Sequence, residues 1–164
     1  MDKVKQIRGA LYAGIIGDTL GVPSHPSLEE ETGLISVKNR LGYGRYDEPV
    51  GTWSDDTSLT LCTMESLNDG YSLENIGKRF CQWLFEAYWT PYGYVFDAGV
   101  TTFLALERIH KDHVPASESG STSEDDNGNG ALMRILPAAL YFHSLPLDRF
   151  LQNIHGITAI THAH

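Results

Sequence analysis

An all-α fold is predicted by three features of the 164-residue sequence. Apolar residues recur at helical spacing in segment after segment, and Ser, Asp and Gly stand where those segments begin and end. No stretch alternates apolar and polar residues in a way that would build a strand ladder, and no internal repeat is present. With 41% apolar and 20% charged residues the composition is that of a chain with a packed core, and the length suits one domain over residues 1–164.

In the first segment Val4, Ile7, Leu11 and Ile15 share a helical face, with Ala10 and Gly14 beside them where a second helix can approach. Asp18 is expected after this helix as a turn former. From there to Gly51 the chain is polar and glycine-bearing, with Pro23, Pro26 and the run Glu29-Glu30-Glu31, and reads as a long loop. Residues 57–68 place Leu59, Cys62, Thr63 and Leu67 together and stop at Asp69-Gly70. Ser72 is suited to cap a third helix over 72–89, whose stripe is Leu73, Ile76, Phe80, Trp83 and Leu84 and which Thr90-Pro91-Tyr92-Gly93 closes. Asp97 is the expected N-cap of a fourth helix over 98–110, with Val100, Phe103, Leu104 and Ile109 facing inward. Residues 111–130 have the Ser, Gly, Asp and Asn content of a linker. Helix is expected again over 131–143, with Pro137 at a kink or first turn, and then in two short pieces, 147–154 and 157 onward.

Twelve Lys and Arg against 21 Asp and Glu leave a net charge of −9. That field repels phosphate backbones and anionic lipid, so nucleic acid is not an expected partner, and an anionic small molecule would need a local cation or a nest of backbone N–H groups. Cys62 and Cys81 are too few for a disulfide scaffold and are expected as buried thiols. Asp18 interrupts the apolar N-terminal stretch, so no signal peptide is expected. No apolar run approaches the ~18–20 residues of a membrane span. A cytoplasmic protein without a membrane partner is therefore expected.

Two constellations have chemical content. Ser54, Asp55 and Asp56 put a hydroxyl and two carboxylates in consecutive positions just before a helix, where hard divalent cations find oxygen ligands. The same residues are preferred helix caps and first-turn acids, and both readings stand. Asp126-Asn127-Gly128-Asn129-Gly130 offers free amides and residues tolerant of φ > 0 ahead of a helix, as a phosphate or ribose cradle or as a solvated loop. His162 and His164, two apart, do not share a helical face and make no joint metal site.

In this order, GALYAGIIGDTLGVP, GTWSDDTSLTLCTMESL, DNGNGALMRILPAAL and ITHAH resemble the successive motifs of the ADP-ribosylglycohydrolase family, related to the dinitrogenase-reductase-activating glycohydrolases, over residues 8–164. The resemblance implies an all-α fold around a binuclear Mg²⁺ or Mn²⁺ centre that hydrolyses the bond between ADP-ribose and a side chain or small acceptor. By motif, Ser54, Asp55 and Asp56 match metal ligands, with Asp55 and Asp56 as catalytic carboxylates. Asn127, Gly128, Asn129, Gly130 and Ala131 match the diphosphate and ribose cradle, Met133 and Arg134 look structural, and His162 matches the histidine near the nucleoside end.

Two departures accompany the match. His25 stands where the family has an active-site Glu, leaving Glu29, Glu30 or Glu31 as substitutes. The family's second acidic motif has no counterpart before His164, so the chain is expected to be the N-terminal part of the family domain, with apolar faces that self-association or a complementary chain would cover. The competing reading is a catalytically inactive ADP-ribose or nucleotide-binding module, or a remnant, that keeps the glycine loop and His162.

Overall fold

A computed structural model describes residues 2–24 and 46–164, which form six α-helices joined by turns. Helix α1 spans Lys3–Gly21, α2 Asp55–Asn68, α3 Leu73–Glu86, α4 Val100–Asp112, α5 Leu136–Phe142 and α6 Leu147–Ala159. Among the described residues there is no strand beyond one isolated parallel bridge between Ser121 and His162. His25, Glu29, Glu30 and Glu31 lie outside the described residues.

The core forms where α2 lies between α3 and α5, with α4 against α3 and α6 against α5. The predicted stripes of the second and third helices are the ones that fill it. Leu59, Cys62, Leu67, Ile76, Phe80 and Trp83 are buried, and Leu73 and Leu84 pack against them. Each such side chain is worth roughly 1.5–3 kcal/mol of transfer free energy. Both thiols are buried, and burial pushes Cys62 up to about 12 and Cys81 up to about 11, so neither is a nucleophile near neutral pH. Ser72 caps α3 by accepting from the Asn75 amide, and Gly70, at φ +112°, turns the chain after α2.

Several boundaries and faces differ from expectation. Asp18 lies inside α1, in its last turns, and is no turn former. Asp97 does not cap α4. Gly99 holds that position, and Asp97 instead accepts from Tyr46 Oη at 2.9 Å. On α4, Val100, Phe103 and Leu104 are exposed, while Thr102, Ala105 and Leu106 are buried. Pro137 sets the start of α5 at its first turn, because its ring fixes φ and its missing N–H is tolerated only there, so 131–135 are turns. The two short C-terminal pieces are one continuous α6. The 111–130 segment is not a free linker, since it runs through short 3-10 turns and pairs with the chain end at His162.

Helix α1 packs on α2 and α5 through only part of its surface. Leu11 and Ile15 are half-buried as the stripe requires, but Val4, Ile7, Tyr12, Ile16 and Leu20 are exposed. No helix of the described residues is long and apolar enough to cross a membrane.

Candidate functional site

The N-terminus of α2 is built for capping and for more than capping. Ser54 accepts from the Asp56 amide as N-cap. Asp18 reaches over from α1 and accepts from the amides of Ser54 (3.0 Å) and Thr57 (3.1 Å) and from Ser54 Oγ (2.7 Å). These bonds satisfy first-turn N–H groups that no helical carbonyl can reach.

Asp55 is only 8% exposed, and its carboxyl is pushed up to about 7, first by burial and then by the charges of Asp97, Asp56 and Asp18. Asp56 is raised as well, by burial and by Asp18, with the Ser54 hydroxyl opposing. Four carboxylates thus crowd one wall of a cleft of about 540 Å³, whose described lining holds no Lys or Arg. Hard oxygen donors with uncompensated negative charge are the chemistry a divalent cation relieves. As the side chains stand, however, no three acidic, His or Cys groups among the described residues are grouped to hold a single ion.

Across the same cleft lie Gly128, Asn129, Gly130 and His162. Asp126 pins the loop ahead of them by accepting from Ser121 Oγ (2.5 Å) and Thr101 Oγ1 (3.4 Å). Behind it Arg134, fully buried, donates from Nη1 to the Gly130 carbonyl at 2.7 Å and from Nη2 to Thr161 Oγ1 at 2.8 Å, with its guanidinium 4.7 Å from the Phe80 ring centre. Burial lowers Arg134 to about 9, with the charge of Asp55 opposing. Burial, then the Arg134 charge, lowers His162 below the usual histidine range.

Of the residues singled out by sequence, Ser54, Asp55 and Asp56 are thus brought together with Gly128, Asn129, Gly130 and His162 around one cavity. Asn127 is exposed and Ala131 buried, and neither lines the cleft. Sequence reasoning missed Asp18 and Asp97 as parts of the acidic wall, and it missed Tyr46 and Thr161, which hydrogen-bond to Asp97 and Arg134. For Asp18 the available signal was its place in the GDTLGVP segment of the family-like pattern.

Comparison with known proteins decides the family. The family model described as ADP-ribosylglycohydrolase matches residues 1–164. The chain belongs to the ADP-ribosylglycohydrolase family. Among curated relatives, the ADP-ribosylarginine hydrolase Tri1 of Serratia proteamaculans is 31% identical over 143 residues, covering 86% of this chain and 37% of the relative. The protein of the same name from Pseudomonas putida is 28% identical over 143 residues, covering 84% and 37%. A solved chain described as an ADP-ribosylglycohydrolase-related protein complex superposes with a TM-score of 0.71 at 30% identity, covering 94% of this chain and 48% of that one. The helical architecture is therefore that of the glycohydrolase family, and this chain spans less than half the length of these relatives.

Proposed function

We propose that the chain carries the acidic half and the ADP-ribose cradle of a hydrolase that cleaves the glycosidic bond between ADP-ribose and an acceptor, with an arginine side chain as the acceptor by analogy with the Tri1 relatives. The observation that carries this reading is the meeting of two distant segments in one cleft, the Ser54–Asp56 wall and the Gly128–Gly130 loop with His162. One end suits a cation and a sugar, and the other a phosphate.

Mg²⁺ or Mn²⁺ would be held by Asp55, Asp56 and the Ser54 hydroxyl, with Asp18 and Asp97 adding charge beside them. A divalent ion, when bound, supplies electrophilic stabilisation of substrate oxygens that gain negative charge. Asp55 orients a water toward the anomeric carbon; as the bond from that carbon to the acceptor nitrogen breaks with oxocarbenium-like character, the water oxygen bonds to the carbon, Asp55 takes the water proton, and the departing guanidine nitrogen regains a proton from Asp55. The loop amides and His162 hold the diphosphate and ribose, and the buried Arg134 charge behind the loop counters the net −9 of the protein. The apolar α1 surface is the face that a second chain or the remaining length of the relatives' domain would cover.

Calorimetry with ADP-ribose and Mn²⁺, together with release of ADP-ribose from an ADP-ribosylated arginine peptide, tests the reading. Binding and turnover are expected, and neither heat nor release would reject it. Binding without release identifies the inactive module instead, a reading favoured by the lack of any three-ligand group among the described residues.

A further inference from the structure

The buried Arg134 is more than a packing element. Among the described residues its two donated bonds end on neutral oxygens, and its buried Nε has no partner. A cation placed at that cost, with nothing anionic bonded to it among the described residues, fixes the polarity of whatever it touches. What it touches is Thr161, fully buried, whose Oγ1 lies 2.8 Å from Arg134 Nη2 and 2.7 Å from His162 Nδ1.

A guanidinium donates and never accepts, so Thr161 Oγ1 receives a proton from that side. The hydroxyl has one proton of its own, and His162 Nδ1 is the acceptor in reach among the described residues. In a neutral imidazole an accepting Nδ1 requires the proton on Nε2. That edge of the ring faces the loop. A Cβ added at Gly130 would stand 3.0 Å from His162 Cε1, and one at Gly128 3.7 Å from Nε2, so the two glycines keep side chains from coming between the ring and the cleft.

We infer that Arg134 and Thr161 are positioning residues that lock His162 as the Nε2–H tautomer, making it a fixed hydrogen-bond donor to a phosphate or ribose oxygen of a nucleotide-sugar ligand. His162 is then unable to serve as a base at Nε2. The charged groups facing the ring are Arg134, which disfavours a second proton, and Asp126, which favours it, and burial adds to the former. The ligand half of this inference rests on the proposed function, whereas the tautomer half does not.

Long-range ¹H–¹⁵N spectra of the whole chain labelled in histidine, with His162 assigned by its loss in His162→Gln, read the tautomer directly. The Nε2–H pattern is expected in the wild type and in Thr161→Ser, and a mixed or Nδ1–H pattern in Thr161→Val. ADP-ribose titrated calorimetrically should bind about tenfold more weakly to Thr161→Val and within about twofold of wild type to Thr161→Ser, the effect of one misaligned hydrogen bond. A wild-type ring protonated at Nδ1, or a tautomer indifferent to Thr161→Val, overturns the inference. The wild-type spectrum alone is decisive if Thr161→Val fails to fold. The expected tautomers without any ADP-ribose binding would support the relay and overturn the proposed function, so the two failures are distinguishable.

Discussion

The two ends of the cleft are built by opposite means. The acidic end is mostly local among the described residues, with Ser54, Asp55 and Asp56 consecutive at a helix start and Asp18 and Asp97 brought in from elsewhere. Its distinguishing property is electrostatic cost, since Asp55 is buried among three other carboxylates. The loop end is assembled from the Asp126 contact to Thr101, from Arg134, which holds the nearby Gly130 carbonyl and also the distant Thr161 hydroxyl, and from the Ser121 pairing with the chain end at His162 and Ala163. Its distinguishing property is close backbone packing around a hidden cation. The difference teaches that one end holds its chemistry as charge repulsion and the other as shape. Substitutions at the first should alter ionisation and spare the fold, and substitutions at the second should alter the fold itself.

The largest effect is expected at Gly120. A Cβ there would lie 2.1 Å from the Ala159 carbonyl oxygen and 3.0 Å from the Thr161 carbonyl carbon, both backbone atoms that cannot rotate away. Gly120→Ala must part the Ser121 segment from the one carrying His162, breaking the Ser121 N–H to Thr161 carbonyl bond and the return bond from Ala163. Overpacking typically costs about 1–3 kcal/mol, and with rigid backbone on both sides a loss of about 3 kcal/mol or more is expected. Urea unfolding measures it, and a variant as stable as wild type would mean the two segments are not held together as described.

Next in size is a pH effect confined to the acidic end. Asp55 has its folded pKa raised to about 7 from 3.8, so as pH rises through this interval the unfolded chain gives up the Asp55 proton while the folded chain retains it. Through this group the unfolded state then binds fewer protons, and the Asp55 contribution to stability falls with rising pH. A tenfold difference in proton affinity between the folded and unfolded chains is worth about 1.4 kcal/mol, so the fall between pH ~4 and ~7 is ~2–4 kcal/mol in chelator. Asp56, raised in the same direction, adds to it. Asp55→Asn should be more stable than wild type near pH 8 and less pH-dependent, and should lose the proposed hydrolysis. Added Mn²⁺ should restore wild-type stability near pH 8 and leave the variant nearly unchanged. A wild type and an Asp55→Asn variant with the same change in stability from pH ~4 to ~7 would show that Asp55 is not strained by its neighbours.

The same contrast explains what the sequence could disclose. Helices α2 and α3 were legible because Leu59, Cys62, Ile76, Phe80 and Trp83 state their face by spacing alone. On α4 the same logic failed, because Val100, Phe103 and Leu104 are the more apolar residues while Thr102 and Ala105 lie inward. Thr102 Oγ1 would stand 3.1 Å from a Cβ at Gly130, so that face is chosen by the need for small side chains beside the loop, which hydropathy does not encode. The Ser54–Asp56 triplet was legible because its geometry is local. Asp97 was misread as a cap since its type fits a helix start two residues too early, and only the fold sets it beside Tyr46 and Asp55. The 111–130 segment has linker composition because turns and close backbone approach use the same Gly, Ser and Asp residues as disorder does. What distinguishes them is Gly120 meeting Ala159, a contact across 39 residues.

The smallest effect sharpens the acidic end, where capping and ion binding compete for one oxygen. Ser54 Oγ accepts from the Asp56 amide at 3.3 Å and donates to Asp18 at 2.7 Å. Loss of an N-cap side chain costs about 1 kcal/mol. Asp18 still accepts from the Ser54 and Thr57 amides when that side chain is gone, so Ser54→Ala should not exceed this figure. Its effect on Mn²⁺ affinity separates the two roles. The Ser54 hydroxyl proton is shared between Asp18 and Asp56 and one lone pair is taken by the Asp56 amide, which leaves one lone pair; if it ligates the ion, Ser54→Ala should weaken Mn²⁺ binding by about tenfold, about 1.4 kcal/mol. Calorimetry checks this alongside urea unfolding. A stability loss of about 1 kcal/mol with unchanged Mn²⁺ affinity would reduce Ser54 to the cap of α2 and leave Asp55 and Asp56 to hold the ion alone.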